Sequence, residues 1–349
     1  MALPATYRSF RRTTGDLPLT IEISTEAVPK QLGDNDVLIK IHSVSLNYRD
    51  VAMLHGKYPV PVRDGLILAS DCSAEVIAVG SAVKRFQIGD FVSPIISTNF
   101  IKGTEDVKLH LGSLGGYVDG VLREYAMYSE EVLVQLPKNL SWDEAATITC
   151  AGLTAWKSLN GLEDLTSDSY VLLEGTGGVS MFALLLLVNA GVHVIITSSS
   201  DEKIANVKKI SHLVEGINYK THSKIAPEVQ RLTEGKGVAI VLNNAGVHSI
   251  PSNIDCLGDR GTINLVGFLE GFTADWNPAK LGELLVKQGI LRGAPAGSRI
   301  DAQVLNKYLE DKNIALGAII DRKFTFDRSK EAFDYLYQGK HIGKVIINI

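Results

Sequence analysis

Two textures divide the chain. Up to about Pro137 the apolar positions come in short alternating or continuous runs broken by Gly, Pro and Asp, such as DVLIKI at 36–41, AEVIAV at 74–79 and DFVS at 90–93. Runs of that length, with a period near two, predict a β-rich region of short strands and turns. SWDE at 141–144 has the form of a capping box and predicts a helix through Thr149 toward Leu159. From Tyr170 strands and helices alternate. Strands are expected from 170 and at 192–197, 214–218, 238–243, 262–268 and 291–294, with helices at 201–210 and 227–233. That order predicts an α/β architecture with a doubly wound parallel sheet. Helices at 301–311 and 329–337 follow, and the strand-like run 343–348 is expected to return to the first domain.

A length of 349 residues exceeds a usual single core, so two domains are expected. A net charge of −4, with basic residues clustered no further than doublets such as Arg11-Arg12 and Lys208-Lys209, offers no excess to neutralise phosphates, so neither nucleic acid nor an acidic membrane is an expected partner. Three unevenly spaced cysteines, Cys72, Cys150 and Cys256, fit a reducing compartment. No signal peptide is recognised, and the longest apolar run, 182–188, is far shorter than a membrane span. The expectation is a soluble, cytoplasmic protein.

The candidate chemistry starts at YVLLEGTGGVS, residues 170–180, followed by the apolar MFALLLLVN at 181–189. Strand, glycine turn and helix in that order suit a dinucleotide, because the helix N-terminus then offers unpaired N–H groups and a positive dipole end to the pyrophosphate. Gly175 would make the turn and Gly177 would admit the phosphates, with Thr176, Gly178 and Val179 completing the cradle. Ser180 holds the third glycine position and is still small enough for close packing. The second strand runs out into Thr197, Ser198, Ser199 and Ser200, with no carboxylate before Asp201. A carboxylate about 20 residues past the turn would hold the ribose of NAD and repel a 2′-phosphate. The hydroxyls of Ser198 and Ser199, the charge of Lys203 and the ring of Tyr219 therefore favour NADPH. The bland alternative is a serine helix cap with Lys203 facing solvent.

VSLNYRD at 44–50 with GKYP at 56–59, ASDCSAEVIAVG at 69–80 leading to GDFV at 89–92, AATITCAGLTAW at 145–156, the glycine turn, and IGKVI at 342–346 form an ordered set spanning both textures. With them the chain resembles the medium-chain dehydrogenase/reductase superfamily, in its zinc-free, quinone-oxidoreductase-like and enoyl-reductase-like branch. The resemblance implies a GroES-like β-barrel catalytic domain from residues 1–140 and 300–349. A Rossmann domain would take 141–299, and a homodimer would form through the last Rossmann strands at 289–296. Zinc alcohol dehydrogenases of this superfamily hold a catalytic ion with Cys, His and Cys. Here those positions are Asn47, Ser70 and Cys150, and no four-cysteine structural loop exists. Amide and hydroxyl are poor zinc ligands beside thiolate and imidazole. A zinc-free site is the expectation, with Cys150 either a buried packing residue or a reactive thiol.

Without a Lewis acid, hydride addition to a conjugated C=C asks less of the protein than reduction of an isolated ketone, because the charge delocalises onto a remote oxygen. The expected reaction is NADPH-dependent reduction of an enone, enal or quinone, small carbonyl-conjugated molecules. Asn47, Tyr48 and Tyr58 correspond to polar positions near the nicotinamide in relatives. Asn47 would contact the nicotinamide ribose or the substrate oxygen, or be a turn residue; Tyr58 would be a donor or a rim aromatic. Asp71 is expected to form a buried ion pair, with Arg49 as the candidate partner. Asn243 and Asn244, Gly267 and Phe268, and Ser298 and Arg299 are expected near the cofactor, Arg299 alternatively at the crossing between domains. His42 reads as a packed histidine and His55 as a loop histidine. The glycine-rich loop 98–117 is where specificity would lie. Two other functions stay open: a zinc-independent ketone reductase or alcohol dehydrogenase of a biosynthetic pathway, and a non-catalytic NADPH-binding structural or regulatory protein.

Overall fold

The strand Asp36–Leu46 organises the first sheet, because Val37, Ile39, Ile41 and Val44 leave it fully buried while Lys40 stays in solvent. The computed structural model describes residues 3–105 and 108–349; Asp106 and Val107, within the 98–117 loop, lie outside the described residues. Two units are present, Met1–Leu153 with Ala296–Ile349, and Thr154–Pro295. In the first, a seven-stranded sheet runs in the order Ile320–Thr325, Lys344–Asn348, Asp36–Leu46, Asp71–Val79, Phe91–Pro94 and Leu133–Gln135, with Tyr125–Ser129 as a further partner of Asp36–Leu46. Its core gathers Val37, Ile39, Leu68, Val76, Leu122 and Ile347. The closing strand pairs antiparallel with Asp36–Leu46, Val345 opposite Leu46, which brings Lys344 beside Asn47.

In the second unit six strands run in the order Val214–Asn218, His193–Ser198, Tyr170–Leu173, Val238–Asn243, Leu257–Leu265 and Ile290–Gly293, every neighbouring pair parallel. Numbered from Tyr170–Leu173, this is the 3-2-1-4-5-6 order of a Rossmann sheet, with its switch point between Tyr170–Leu173 and Val238–Asn243. The helix Gly178–Asn189 is apolar all round and buries Ser180 through Leu187, as a helix covered by packing on every side must be.

The predicted single helix from Ser141 is corrected by the structure. The Ser141–Glu144 capping box forms, but it opens only Trp142–Ala145. A π-helical stretch, Ile148–Gly152, follows, and Leu153–Ser158 resumes the α-helix. The Gly152 N–H reaches back to the Thr147 carbonyl at 3.2 Å. Within this wide turn the Thr149 hydroxyl faces Asp71. Residues 141–153 fall in the first unit, whereas the family resemblance implied a boundary at 140/141.

Candidate functional site

The glycine turn sits at the carboxyl end of Tyr170–Leu173, against the switch point. Gly175 has φ +73°, a left-handed conformation that disfavours any side chain. Its N–H donates to Thr197 Oγ1 at 3.1 Å, which ties the turn to the second strand. Gly177 caps the helix Gly178–Asn189, and a Cβ at either glycine would meet nothing within 4 Å. An open concavity lined by backbone, at a helix N-terminus whose first turn carries no acidic residue, fits a pyrophosphate. Ser180 Oγ donates to the Glu174 carbonyl at 2.9 Å, so the third small position works as a hydroxyl bracket.

Beneath this turn lies a polar network that the sequence pattern did not reveal. Glu174 is buried, and its carboxylate accepts from Asn253 Nδ2 at 2.7 Å and from the Ala245 N–H at 3.0 Å. Burial pushes the Glu174 carboxyl above its ordinary range, against the pull of these donors. Asn244 Nδ2 donates to the Glu174 carbonyl at 3.0 Å and to Ser180 Oγ at 2.9 Å. Asn243 is wholly buried: its Nδ2 faces Asn253 Oδ1 at 2.6 Å and Ser249 Oγ at 2.8 Å, while its Oδ1 accepts from the Gly246 N–H at 2.8 Å. Asn243 therefore shapes the 243–246 loop from within. Gly267 passes so close to the Asn244 carbonyl that a Cβ would collide with it. Phe268 stacks with Phe272, centroids 5.6 Å apart.

At the end of the second strand the three serines part company. Ser200 is the cap of the helix Asp201–Lys208 and accepts from the Lys203 N–H at 3.3 Å. Ser198 is buried and its carbonyl accepts from the Tyr219 N–H at 3.0 Å. Ser199 is exposed, and Tyr219 is 45% exposed. The Asp201 carboxylate accepts from Asn218 Nδ2 at 2.8 Å. Ser199, Tyr219 and the Lys203 helix turn thus share one end of the sheet.

In the first unit the structure gathers Asn47, Asp71, Lys344, Thr149, Arg49 and Asp50. Asp71 is fully buried and its ion-pair partner is Lys344, itself 1% exposed, at 3.7 Å. This corrects the expected pairing, since Arg49 pairs with Asp50 at 3.7 Å. Register explains the exchange, because the closing strand brings Lys344 alongside Asn47 while Arg49 points to the Leu114 carbonyl at 2.9 Å and Ser113 Oγ at 3.2 Å. Asn47 joins both pairs: its N–H donates to Asp50 Oδ2 at 2.8 Å, its Nδ2 to Asp71 Oδ2 at 3.1 Å, and its Oδ1 accepts from Lys344 at 2.7 Å. Thr149 Oγ1 donates to the other Asp71 oxygen at 3.2 Å. Burial raises the Asp71 and Asp50 carboxyls, and their cationic partners oppose it.

Arg49 Nε donates to the half-buried Tyr58 hydroxyl at 3.4 Å and its guanidinium lies 5.3 Å from that ring. Tyr48 opens the helix Tyr48–Leu54, half-buried. Ser70 is buried, its hydroxyl without a hydrogen-bond partner. Burial pushes the Cys150 thiol up, so thiolate chemistry is disfavoured there. Among the described residues no group of three or more His, Cys, Asp or Glu side chains is arranged to hold a metal ion. Ser298 caps the helix Arg299–Asp311 in a box with Asp301, and Arg299 pairs with Glu131 at 3.5 Å. His42 stacks on Trp142 at 4.1 Å and His55 on Tyr337 at 3.7 Å, both packing roles.

Sequence reasoning did not single out Glu174, Lys344 or Thr149 as site residues. The available signal for Lys344 was a lysine inside the apolar strand Lys344–Asn348; Glu174, between an apolar strand and a glycine turn, carried the same kind of signal.

Residues 33–138 match the family described as alcohol dehydrogenase GroES-like domain, and residues 178–310 that described as zinc-binding dehydrogenase. A zinc-type alcohol dehydrogenase-like protein of Schizosaccharomyces pombe is 37% identical over 327 residues, covering 92% of this chain and 93% of that protein. A quinone oxidoreductase of Pseudomonas aeruginosa is 31% identical over 245 residues, 70% of this chain and 68% of that one. A crystal structure from Sinorhizobium meliloti 1021, described as an alcohol dehydrogenase, superposes with a TM-score of 0.90 at 30% identity and covers 100% of both chains.

Proposed function

We propose a function from one premise: the chain belongs to the medium-chain dehydrogenase/reductase superfamily, a family of oxidoreductases that bind a nicotinamide cofactor. The reaction we assign is NADPH-dependent reduction of the C=C bond of an enone, enal or quinone, without zinc. The observation that carries this reading is the donor set of the first unit. Asn47 and Ser70 stand where zinc relatives place Cys and His, and the thiol of Cys150 is held protonated by burial. Such a set binds zinc poorly, but a carboxamide N–H suits a carbonyl oxygen that gains charge.

The residues present fit a dinucleotide. Gly175, Thr176, Gly177, Gly178 and Val179 would hold the pyrophosphate, while Ser199, Lys203 and Tyr219 would face the 2′-phosphate, Ser198 bracing them from below. When bound, NADPH supplies the hydride for the β-carbon. Asn47 holds the carbonyl oxygen, and Tyr58, whose hydroxyl oxygen accepts from Arg49 Nε, is assigned a place beside it.

The test is a screen of NADPH oxidation over 2-cyclohexenone, enals, quinones and unconjugated ketones, with metal content measured on the same sample. Conjugated acceptors turn over, ketones do not, and chelation changes nothing. Turnover of ketones alone assigns a ketone reductase, and binding of NADPH with no turnover on any acceptor assigns a non-catalytic role. Stoichiometric zinc whose removal abolishes activity overturns the reading. Lys203→Glu should weaken NADPH about tenfold, the loss of one charged contact of roughly 1.5 kcal/mol, and leave NADH within about twofold. An unchanged NADPH Kd rules Lys203 out.

We further propose a homodimer. The edge strand Ile290–Gly293 has Ile290 at 53% exposure, and the adjoining Leu285 and Val286 exceed 80%. An edge strand beside exposed aliphatics is a surface that proteins normally cover. Wild-type protein should sediment as a dimer and Val286→Asp as a monomer; a monomeric wild type ends this proposal.

A further inference from the structure

We infer that Lys344 and Asp71 are positioning residues that lock the Asn47 carboxamide in one orientation, with one Nδ2–H held by Asp71 and the second turned toward a ligand oxygen. An ammonium only donates and a carboxylate only accepts, so the pair faces Oδ1 and Nδ2 respectively. Turning the amide over would set NH2 against ammonium and carbonyl against carboxylate. Lys344 and Asp71 are 1% and 0% exposed, so water does not compete for either bond. The bracket is itself held: Lys344 Nζ also donates to the Leu46 carbonyl at 2.8 Å, and Thr149 fixes the far Asp71 oxygen. The Asn47 N–H is separately anchored to Asp50. Only Asn47 in this group is half-buried; the four charged members lie deeper.

A buried ion pair adds little net stability over an apolar replacement, so its value here lies in setting direction. Asp71 takes one of the two Nδ2–H bonds and leaves the other to donate, on the half-buried member of a charged, desolvated assembly. A metal ion would offer its ligand a fixed positive centre; this arrangement offers a fixed N–H backed by an ammonium.

The inference rests on the reductase reading for its catalytic consequence, so its test has two readouts. The first is the Asn47 side-chain amide in protein labelled with 15N-asparagine, identified by its loss in Asn47→Ala. In wild type the two Asn47 protons should be resolved, and the one not bound to Asp71 should shift when 2-cyclohexenone is added with NADP+, which cannot reduce it. In Lys344→Met the amide signals should move or broaden and that response should vanish. The second readout is turnover. Lys344→Met should lower kcat about a hundredfold, as expected for a misplaced catalytic group, with KM within about threefold. Asp71→Asn, which is isosteric, should do the same and serves if Lys344→Met does not fold. A folded variant with unchanged Asn47 signals, or with wild-type kcat, overturns the inference. Absence of turnover in the wild type refutes the reductase reading instead, and the amide readout then decides the positioning claim alone.

Discussion

Gly177→Val should abolish cofactor binding while leaving the fold intact. The position has an ordinary backbone conformation, and a Cβ there meets no atom beyond its chain neighbours within 4 Å. The fold should therefore persist, and thermal unfolding without ligand should fall by only a few degrees, the cost of a poorer helix cap. The volume the new side chain fills is where the pyrophosphate approaches the backbone. A hundredfold or greater rise in the NADPH Kd is expected, equivalent to roughly 2.7 kcal/mol. Fluorescence titration with NADPH reads it directly. Retained affinity would show that the nucleotide does not use this turn, and the proposed function would fall with it.

Glu174→Ala should do the opposite, costing stability first. Removing the carboxylate leaves Asn253 Nδ2 and the Ala245 N–H buried without their acceptor. Each such group costs about 1–3 kcal/mol, so a loss of about 3 kcal/mol is expected after relief of the buried charge is allowed for. Glu174→Gln separates charge from shape. Burial raises the folded-state pKa above the ordinary value of 4.5, so the folded protein retains a proton that the unfolded chain releases. The stabilisation is complete below 4.5 and declines as pH rises through the folded value. Urea denaturation at several pH values should therefore show Glu174→Gln gaining on wild type as pH increases. A gap that stays constant or widens with pH would show that the carboxylate sits comfortably ionised. NADPH affinity should weaken in the alanine variant as well, because the 243–246 loop loses its bracket.

How much of this was readable in the chain depended on how local each feature is. The strand–turn–helix at 170–189 rests on neighbouring residues, and the structure has it as read: Tyr170–Leu173, the Gly175 turn, Gly178–Asn189. The strands through 293 and the helices at 201–208 and 226–232 follow the same logic, with ends displaced by up to five residues, but the helices Ile250–Cys256 and Gly282–Lys287 were not read from the pattern. The helix expected from Ser141 failed at its middle, because a π turn depends on what the side chains beyond it must reach. The three serines at 198–200 look alike in the sequence, yet one is buried, one exposed and one a helix cap. Asp71 shows the same limit: the expected ion pair forms, but with Lys344 in place of Arg49.

The sequence by itself determined the order of most elements, the glycine turn and the residue types at positions 47 and 70, an amide and a hydroxyl. These depend on residue type and spacing along a few turns of backbone. Only the tertiary structure decided that Lys344, 297 residues from Asn47, closes on its carboxamide, and that Glu174 reaches across to Asn253. Strand register makes the first contact and the packing of the helix Ile250–Cys256 on the sheet makes the second; both are set by which faces bury against the whole core, a property no local stretch contains.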